Sequence, residues 1–388
     1  MPAVLQVIQQ GELRGAEVFA LDLSRTLARR HAWRVSLLSL FGTDEAYAEA
    51  VRAGDVPLAI AQPDGRARGF DPRLAWRLRG MIEAGGYDVV QANGAATLKY
   101  LAAARRLSAR PWRLVYRAIG LGSHWRRRLD RRLLYRWLFA QTDRVVAVAA
   151  AVADDLVAAS AVDRRRIVVI PNGVEPSRIA ATEADRRATR GALGVADGEV
   201  VLVHVGTLAP EKNLTALVAV TAACRRRGLP VRAVLVGDGP CRDAVARAAR
   251  EQAVEAAVTR LPAQPRVGAY LAAADLYVST SLSEGMPAAL IEAGLAGLPA
   301  VAYAVGGVPE VVADGETGVL VPAGNERALT DAVAALVTDQ GRRARMARAA
   351  RAACRRFEIA PVAAAYHGLY ASLLAARATG EAALARTG

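Results

Sequence analysis

Short runs of aliphatic and β-branched residues recur along the chain, separated by longer stretches of helical periodicity. The first is Val4-Leu5-Gln6-Val7-Ile8, and others follow at residues 34–38, 88–92, 113–116, 144–148 and 167–170. Nearly continuous apolar runs of this length, each followed by an amphipathic segment, predict parallel strands joined by crossover helices. The last run closes at Pro171-Asn172-Gly173, residue types that specify a turn or linker. After a polar, arginine-rich stretch the pattern restarts at residues 200–206, 231–237, 274–278 and 299–302. The chain therefore reads as two doubly wound α/β domains in tandem, divided between residues 172 and 173, with a frayed tail over 376–388. Ligands of open α/β sheets sit beyond the carboxyl ends of the strands, so the strand-end loops are where chemistry is expected.

The 388 residues suit two domains, and 53% hydrophobic with 23% charged residues excludes a disordered chain. The net charge of +14 would favour an anionic partner, yet among 51 basic residues only Lys99 and Lys212 are lysines. Such arginine bias in an alanine-rich chain weakens the electrostatic argument, and no aromatic platform interleaves with the basic residues except near Trp125, so nucleic acid is set aside. Cys224, Cys241 and Cys354 are scattered, as are His31, His124, His204 and His367, which supports neither a disulfide framework nor a zinc site. The N-terminus lacks the features of a signal peptide and no uninterrupted apolar run reaches membrane-spanning length, so the expected location is the cytoplasm.

The strongest chemical signal is Ser281-Leu282-Ser283-Glu284-Gly285-Met286-Pro287-Ala288-Ala289-Leu290-Ile291-Glu292, directly after a predicted strand. Pro287 suits a first helical turn, which leaves the backbone N–H groups around Gly285 and Met286 free to attract an anion or sugar hydroxyls. Helical rise over eight residues would part Glu284 from Glu292 by about 12 Å, too far for a glycosidase pair and suited to gripping two parts of one extended ligand. The alternative is that Glu284 merely caps the helix and Glu292 is a solvated helix position.

A second candidate is Gly206-Thr207-Leu208-Ala209-Pro210-Glu211-Lys212-Asn213, where a permissive turn, the Thr207 hydroxyl and the compact charge of Lys212 converge ahead of a helix, an arrangement suited to phosphate. The alternative is a solvated turn with Lys212 exposed. In the first domain, Gly15 with Arg14 lies between a strand and a helix and lets backbone approach a phosphate. The dinucleotide fingerprint is absent, and Gly237-Asp238-Gly239-Pro240 reads as a tight turn. Gly306-Gly307-Val308-Pro309-Glu310 precedes a short helix, Glu310 serving as a cap or ion-pair partner, and residues 314–322 read as a turn. The stretch 124–138, His124-Trp125-Arg126 onward, interleaves cations with aromatics; it suits peripheral contact with an anionic membrane or a grip on an anionic acceptor, or else forms an amphipathic helix with Leu129, Leu133, Trp137 and Leu138 facing the core.

In this order and in these halves, the motifs resemble the GT-B glycosyltransferases of family 4, retaining nucleotide-sugar enzymes. The likeness runs from Gly15 to about Tyr370: Glu284 and Glu292 match the family's E-x7-E, and Val205 to Asn213, Pro171-Asn172-Gly173-Val174 and residues 306–310 match its other signatures. It implies an α/β GT-B fold, two Rossmann-like domains facing a central cleft. Residues 1–172 would be acceptor-side and 173–355 donor-binding, with helices over 356–375 crossing back to the first domain and closure accompanying donor binding. It further implies that Glu284 with the Gly285, Met286 and Pro287 segment holds the transferred sugar, Glu292 the ribose, and Lys212 the pyrophosphate, with Gly15 closing on it. The donor would be UDP- or GDP-linked and the acceptor a lipid-linked, glycan or small molecule, with no metal and no cofactor beyond the donor itself.

Thr207 stands where the family usually has an arginine. The segment Tyr116-Arg117-Ala118-Ile119-Gly120 lacks the family's histidine, leaving Arg117 or His124 to compensate. Asn93 stands where histidines are common and is a candidate for sugar or acceptor hydroxyls, against the alternative of a strand-end turn. These departures motivate a rival reading, a glycosyltransferase-like protein that binds nucleotide or glycan without turnover.

Overall fold

The computed structural model describes residues 1–63, 69–121, 129–160, 162–264 and 266–385. It divides into two compact units, one comprising Met1–Gly173 with the C-terminal segment from Ile359, the other Val174–Glu358.

The first unit is built on strands β1 (Ala3–Ile8), β2 (Arg34–Ser39), β3 (Leu58–Ile60), β4 (Val89–Asn93), β5 (Arg113–Ala118), β6 (Arg144–Ala147) and β7 (Ile167–Val169). They pair in parallel in the order β3-β2-β1-β4-β5-β6-β7, which reverses direction between β1 and β4. The second unit carries β8 (Val200–Val205), β9 (Val231–Val236), β10 (Val258–Leu261), β11 (Leu276–Ser279), β12 (Ala300–Tyr303) and β13 (Gly318–Val321), in the order β10-β9-β8-β11-β12-β13 with the reversal between β8 and β11. Each reversal opens a crevice at the strand ends, the topological position at which such sheets bind ligands.

Three strands escape the sequence pattern, and all are near edges. β3 is three residues long and only partly buried, and β10 alternates polar residues in Val-Thr-Arg-Leu. Residues 318–322, read as a turn, instead supply β13. The turn itself is made just before, where Gly315 N–H donates to Gly318 O at 2.8 Å, and Gly318 is needed because a Cβ there would lie 2.3 Å from Ala300 O of the paired strand.

The C-terminal helix Ile359–Ala385 belongs to the first unit, so the region expected as a tail is helical through Ala385. Its first eighteen residues, Ile359–Ala376, are long and apolar enough to cross a membrane by length and composition. Here they form a core helix: Val362, Ala363, Tyr366, Leu369, Tyr370 and Leu373 pack with Phe19, Leu23 and Leu27 of the helix Gly15–His31 and with Val4, Val89 and Val115 of the sheet.

Beneath that helix lies a closed polar ring. Asn93 Nδ2 donates to Gln6 Oε1 at 3.0 Å and Gln91 Nε2 donates to Asn93 Oδ1 at 3.1 Å. Tyr370 Oη donates to Gln91 Oε1 at 2.6 Å and accepts from Gln6 Nε2 at 3.1 Å. All four side chains are buried, and a buried ring of this kind is stabilising only while every member is satisfied.

The helix Leu129–Ala140 bears out only part of the alternative core-facing stripe. Leu138 and Phe139 are buried, but Leu133 is 64% and Trp137 44% exposed. Residues 124–128, including His124, lie outside the described residues.

Tyr370→Phe removes the hydroxyl that joins Gln6 and Gln91 and leaves two buried amide groups short of a partner. The expected cost is about 1–3 kcal/mol, read as a lower urea midpoint with unchanged secondary structure.

Candidate functional site

The candidate site of the second unit is assembled from loops that follow β8, β9, β11 and β12. Their backbones approach more closely than side chains would permit. Gly237 has φ +148° and a Cβ on it would fall 1.9 Å from Gly206 O, while one on Gly239 would fall 2.5 Å from Leu208 O. Leu208 N–H donates to Asp238 O at 2.9 Å and Cys241 N–H to Leu208 O at 2.8 Å. The Gly237-Asp238-Gly239 segment is thus the tight turn that the sequence suggested, and it buttresses the loop carrying Thr207 and Lys212. On the other side Gly306 supports Glu284, since a Cβ at Gly306 would lie 1.7 Å from Glu284 O and Gly307 N–H donates to Gly285 O at 2.8 Å.

Two further bonds join the outer loops: Leu282 N–H to Glu211 O at 2.8 Å and Thr280 Oγ1 to Lys212 O at 2.8 Å. The result is a direct ion pair, Lys212 Nζ to Glu284 Oε1 at 2.6 Å, largely withdrawn from solvent. Glu284 therefore does not cap the following helix, and Lys212 is not a solvated turn residue. Thr207 is exposed at the loop's start.

Pro287 is the N-cap of the helix Ala288–Ala296 rather than its first residue, and no side chain caps that helix. Its first-turn N–H groups and partial positive charge therefore face the loop of Gly285 and Met286. Helical rise applies only from Ala288, so the 12 Å spacing estimated for a continuous helix does not hold. Glu292 is buried, 6% exposed, rather than solvated. Its Oε1 lies 3.6 Å from Arg178 Nη2, on the 3-10 turn Pro176–Arg178. Arg178 escaped the sequence reading because it is one arginine among many; only the fold brings it beside Glu292.

The remaining candidates belong to the first unit. Arg14 is the N-cap of Gly15–His31, with its side chain exposed and paired to Glu12 at 2.6 Å. A Cβ on Gly15 would meet nothing within 4 Å. Two residues later Glu17 was not anticipated: burial raises its carboxyl to about 7, against the lowering effect of its own backbone hydrogen bond and of Arg14 and Arg117.

Asn93 does not stand open at a strand end. Both its donors are committed, to Gln6 Oε1 and to Val7 O at 3.3 Å, and the turn is made by Gly94 at φ +95°. Nor does Arg117 present a cation to a ligand: it is 1% exposed, hydrogen-bonded to Asn172 Oδ1 and stacked 3.8 Å from the centroid of Phe19. It acts as an internal strut between β5 and the end of the first unit's main chain segment.

His204, near the end of β8, is the remaining unforeseen group. Its Nδ1 is 3.2 Å from Val278 O and its ring stacks on Tyr277 with centroids 5.9 Å apart. Burial pushes the imidazole down from 6.5 to about 4. Because the folded value lies below the unfolded one, the unfolded chain binds the extra proton first, and stability is lost as pH falls from about 6.5 toward 4, by roughly 3 kcal/mol. The stability difference between wild type and His204→Phe should therefore shrink or reverse over that window, and remain constant above pH 7.

The family model for Glycosyltransferase Family 4 matches residues 13–178, and that for Glycosyl transferases group 1 matches residues 185–353. D-inositol 3-phosphate glycosyltransferase of Nocardia farcinica is 37% identical over 228 residues, 56% of this chain and 50% of that protein. The enzyme of the same name from Actinosynnema mirum is 35% identical over 221 residues, 54% and 52% of the two chains. The chain thus aligns with about half the length of these curated relatives. HepE of Anabaena, solved in complex with UDP and glucose, superposes with a TM-score of 0.84 over 96% of this chain and all of its own, at 24% identity, a likeness of fold. With one family model on each sheet-bearing unit, together spanning most of the sequence, the chain belongs to the family 4, group 1 glycosyltransferases and has their two-domain GT-B fold.

Proposed function

We propose that the protein transfers a sugar from a nucleoside diphosphate donor to a hydroxyl-bearing acceptor, lipid-linked, glycan or small molecule, on the cytoplasmic side. The observation that carries this reading is the Lys212–Glu284 ion pair at the strand ends, with the buried Glu292 on the adjoining helix. A diphosphate entering there competes with Glu284 for Lys212, and a sugar hydroxyl replaces the ammonium as the carboxylate's partner. Donor binding thus exchanges one paired state for another, without leaving a buried charge alone.

In the reaction the acceptor oxygen bonds to the anomeric carbon while that carbon's bond to the diphosphate breaks. The acceptor's proton passes to the departing phosphate. Charge growing on the leaving group is met by Lys212 and by the uncapped helix start at Ala288, interactions stronger in the transition state than in the ground state. Family likeness favours retention, with attack on the face that the diphosphate leaves, and no metal. The complexes of HepE with UDP and with UDP-glucose favour a uridine donor over a guanosine one.

Glu292 would accept the ribose hydroxyls, and Arg178 would fix the orientation of its carboxylate. The rival reading, binding without turnover, draws on the exposed Thr207 where the family's arginine would stand; hydrolysis of a donor sugar by the pure protein removes it.

Calorimetric titration with UDP, GDP and their sugars tests the assignment. Glu292→Ala should weaken nucleotide binding about tenfold to a hundredfold, and Lys212→Ala should weaken UDP binding while leaving uridine unaffected. Binding by wild type that survives Glu292→Ala unchanged would refute the ribose role. In Arg178→Ala the preference for UDP over 2′-deoxy-UDP should narrow; an unaltered preference would show that Arg178 does not position Glu292.

A further inference from the structure

The helix Gln340–Cys354 of the second unit ends in Arg351, and Arg355 continues it by one residue in helical backbone. Four residues apart, the two cations share one face, a spacing that costs a helix slightly when the charges are alike. Both are exposed. Among the described residues neither has a carboxylate within ion-pair distance, and Arg351 is committed only through Nη2, which donates to Ala296 O at 2.7 Å.

Arg351 and Arg355 border a cavity of about 520 Å³, a volume that suits a small-molecule ligand. Its walls come from the segment after the turn Pro176–Arg178, the helix Gly268–Ala273 and the last turn of Ala288–Ala296, all within the second unit. Close backbone contact fixes them: a Cβ on Gly268 would lie 2.8 Å from Ile179 O and 2.9 Å from Ala180 O. Arg186, a third cation of the wall, is spent on the fold, donating to Ala272 O and Ala274 O and pairing with Asp275 at 2.8 Å. Ala274 and Leu298 of the cavity immediately precede β11 and β12. The cavity therefore lies at the amino ends of the strands, whereas Lys212 and Glu284 meet at the carboxyl ends.

We propose that this cavity binds the phosphate monoester of a sugar or polyol, with the phosphate on Arg351 and Arg355 and the hydroxyls on Glu358 and Glu183, which also line it. The inference does not depend on the transfer reaction above. Two guanidinium groups on one face offer the forked donors that a phosphate accepts. The two carboxylates accept hydrogen bonds from hydroxyls and repel a ligand that is anionic at both ends. No lining residue is aromatic, so a nucleobase finds no stacking surface there. A fatty acyl chain would fit the apolar floor of Ile179, Leu271 and Leu295 but would take both carboxylates out of water without a partner.

Calorimetric titration of the full chain with glucose 6-phosphate, glucose and inorganic phosphate tests the proposal. Glucose 6-phosphate should bind about tenfold or more tightly than either of the others. Replacing both arginines (R351Q and R355Q) should weaken its binding by about tenfold to a hundredfold, through lost charge-assisted hydrogen bonds. Ala180→Trp keeps both arginines and fills the cavity, and should weaken binding by about tenfold or more. Ala180 is exposed, so that variant should keep the wild-type far-UV circular dichroism. Lys212→Ala, at the other end of the strands, should leave the affinity for glucose 6-phosphate unchanged. No binding of glucose 6-phosphate, equal affinity for inorganic phosphate, undiminished binding by either cavity variant, or loss of binding in Lys212→Ala each overturns the proposal.

Discussion

The donor half of the molecule depends on how closely its strand-end loops can approach one another. Gly237 against Gly206 O, Gly239 against Leu208 O and Gly306 against Glu284 O are all contacts in which a Cβ would fall well inside van der Waals distance. These backbone contacts, with the Thr280 Oγ1 bond to Lys212 O, hold the loops after β8 and β11 together. Lys212 and Glu284 then meet at 2.6 Å. Glycine is needed here for the space its missing side chain leaves, and at all three positions for a positive φ as well. A site built this way is rigid where it must place charge, and its one strong internal contact is between the two groups that a charged ligand would separate.

The first unit solves a different problem. Its sheet is buried on both faces, yet it carries Gln6, Gln91, Asn93 and Arg117 in its interior. Three of these close a ring with Tyr370 of the C-terminal helix. Arg117 rests on Phe19 and on Asn172, immediately before the chain leaves the unit. Polar groups in such an interior are costly unless partnered, so they specify one arrangement of helix against sheet. This explains why a helix apolar enough to cross a membrane serves as core: its buried face carries the one hydroxyl that the ring requires.

The strand pattern was legible because parallel strands covered on both faces read as apolar runs, and ten of the thirteen did so. The edge strands β3 and β10 were not, since a partly solvated edge tolerates polar residues and short length. β13 was hidden by the glycine and turn signals that lead directly into it. Of the candidate site, the Glu284 loop, Lys212 and the buttressing glycines could be found from residue type and position after a strand. Arg178, Glu17 and His204 could not, because nothing in their local sequence separates them from ordinary surface or strand residues.

The sequence by itself determined the two α/β units, their parallel sheets, the family and the loops that carry the conspicuous charges. Those follow from periodicity, turn chemistry and spacing, all local along the chain. Tertiary structure alone decided which charges meet: that Lys212 faces Glu284, that Arg178 reaches Glu292, and that Asn93 and Arg117 turn inward to brace the fold. It also decided that Leu133, Leu134 and Trp137 face outward. Pairing and burial depend on residues distant in sequence, and a one-dimensional pattern records the identity of a side chain but not the neighbours that set its energy.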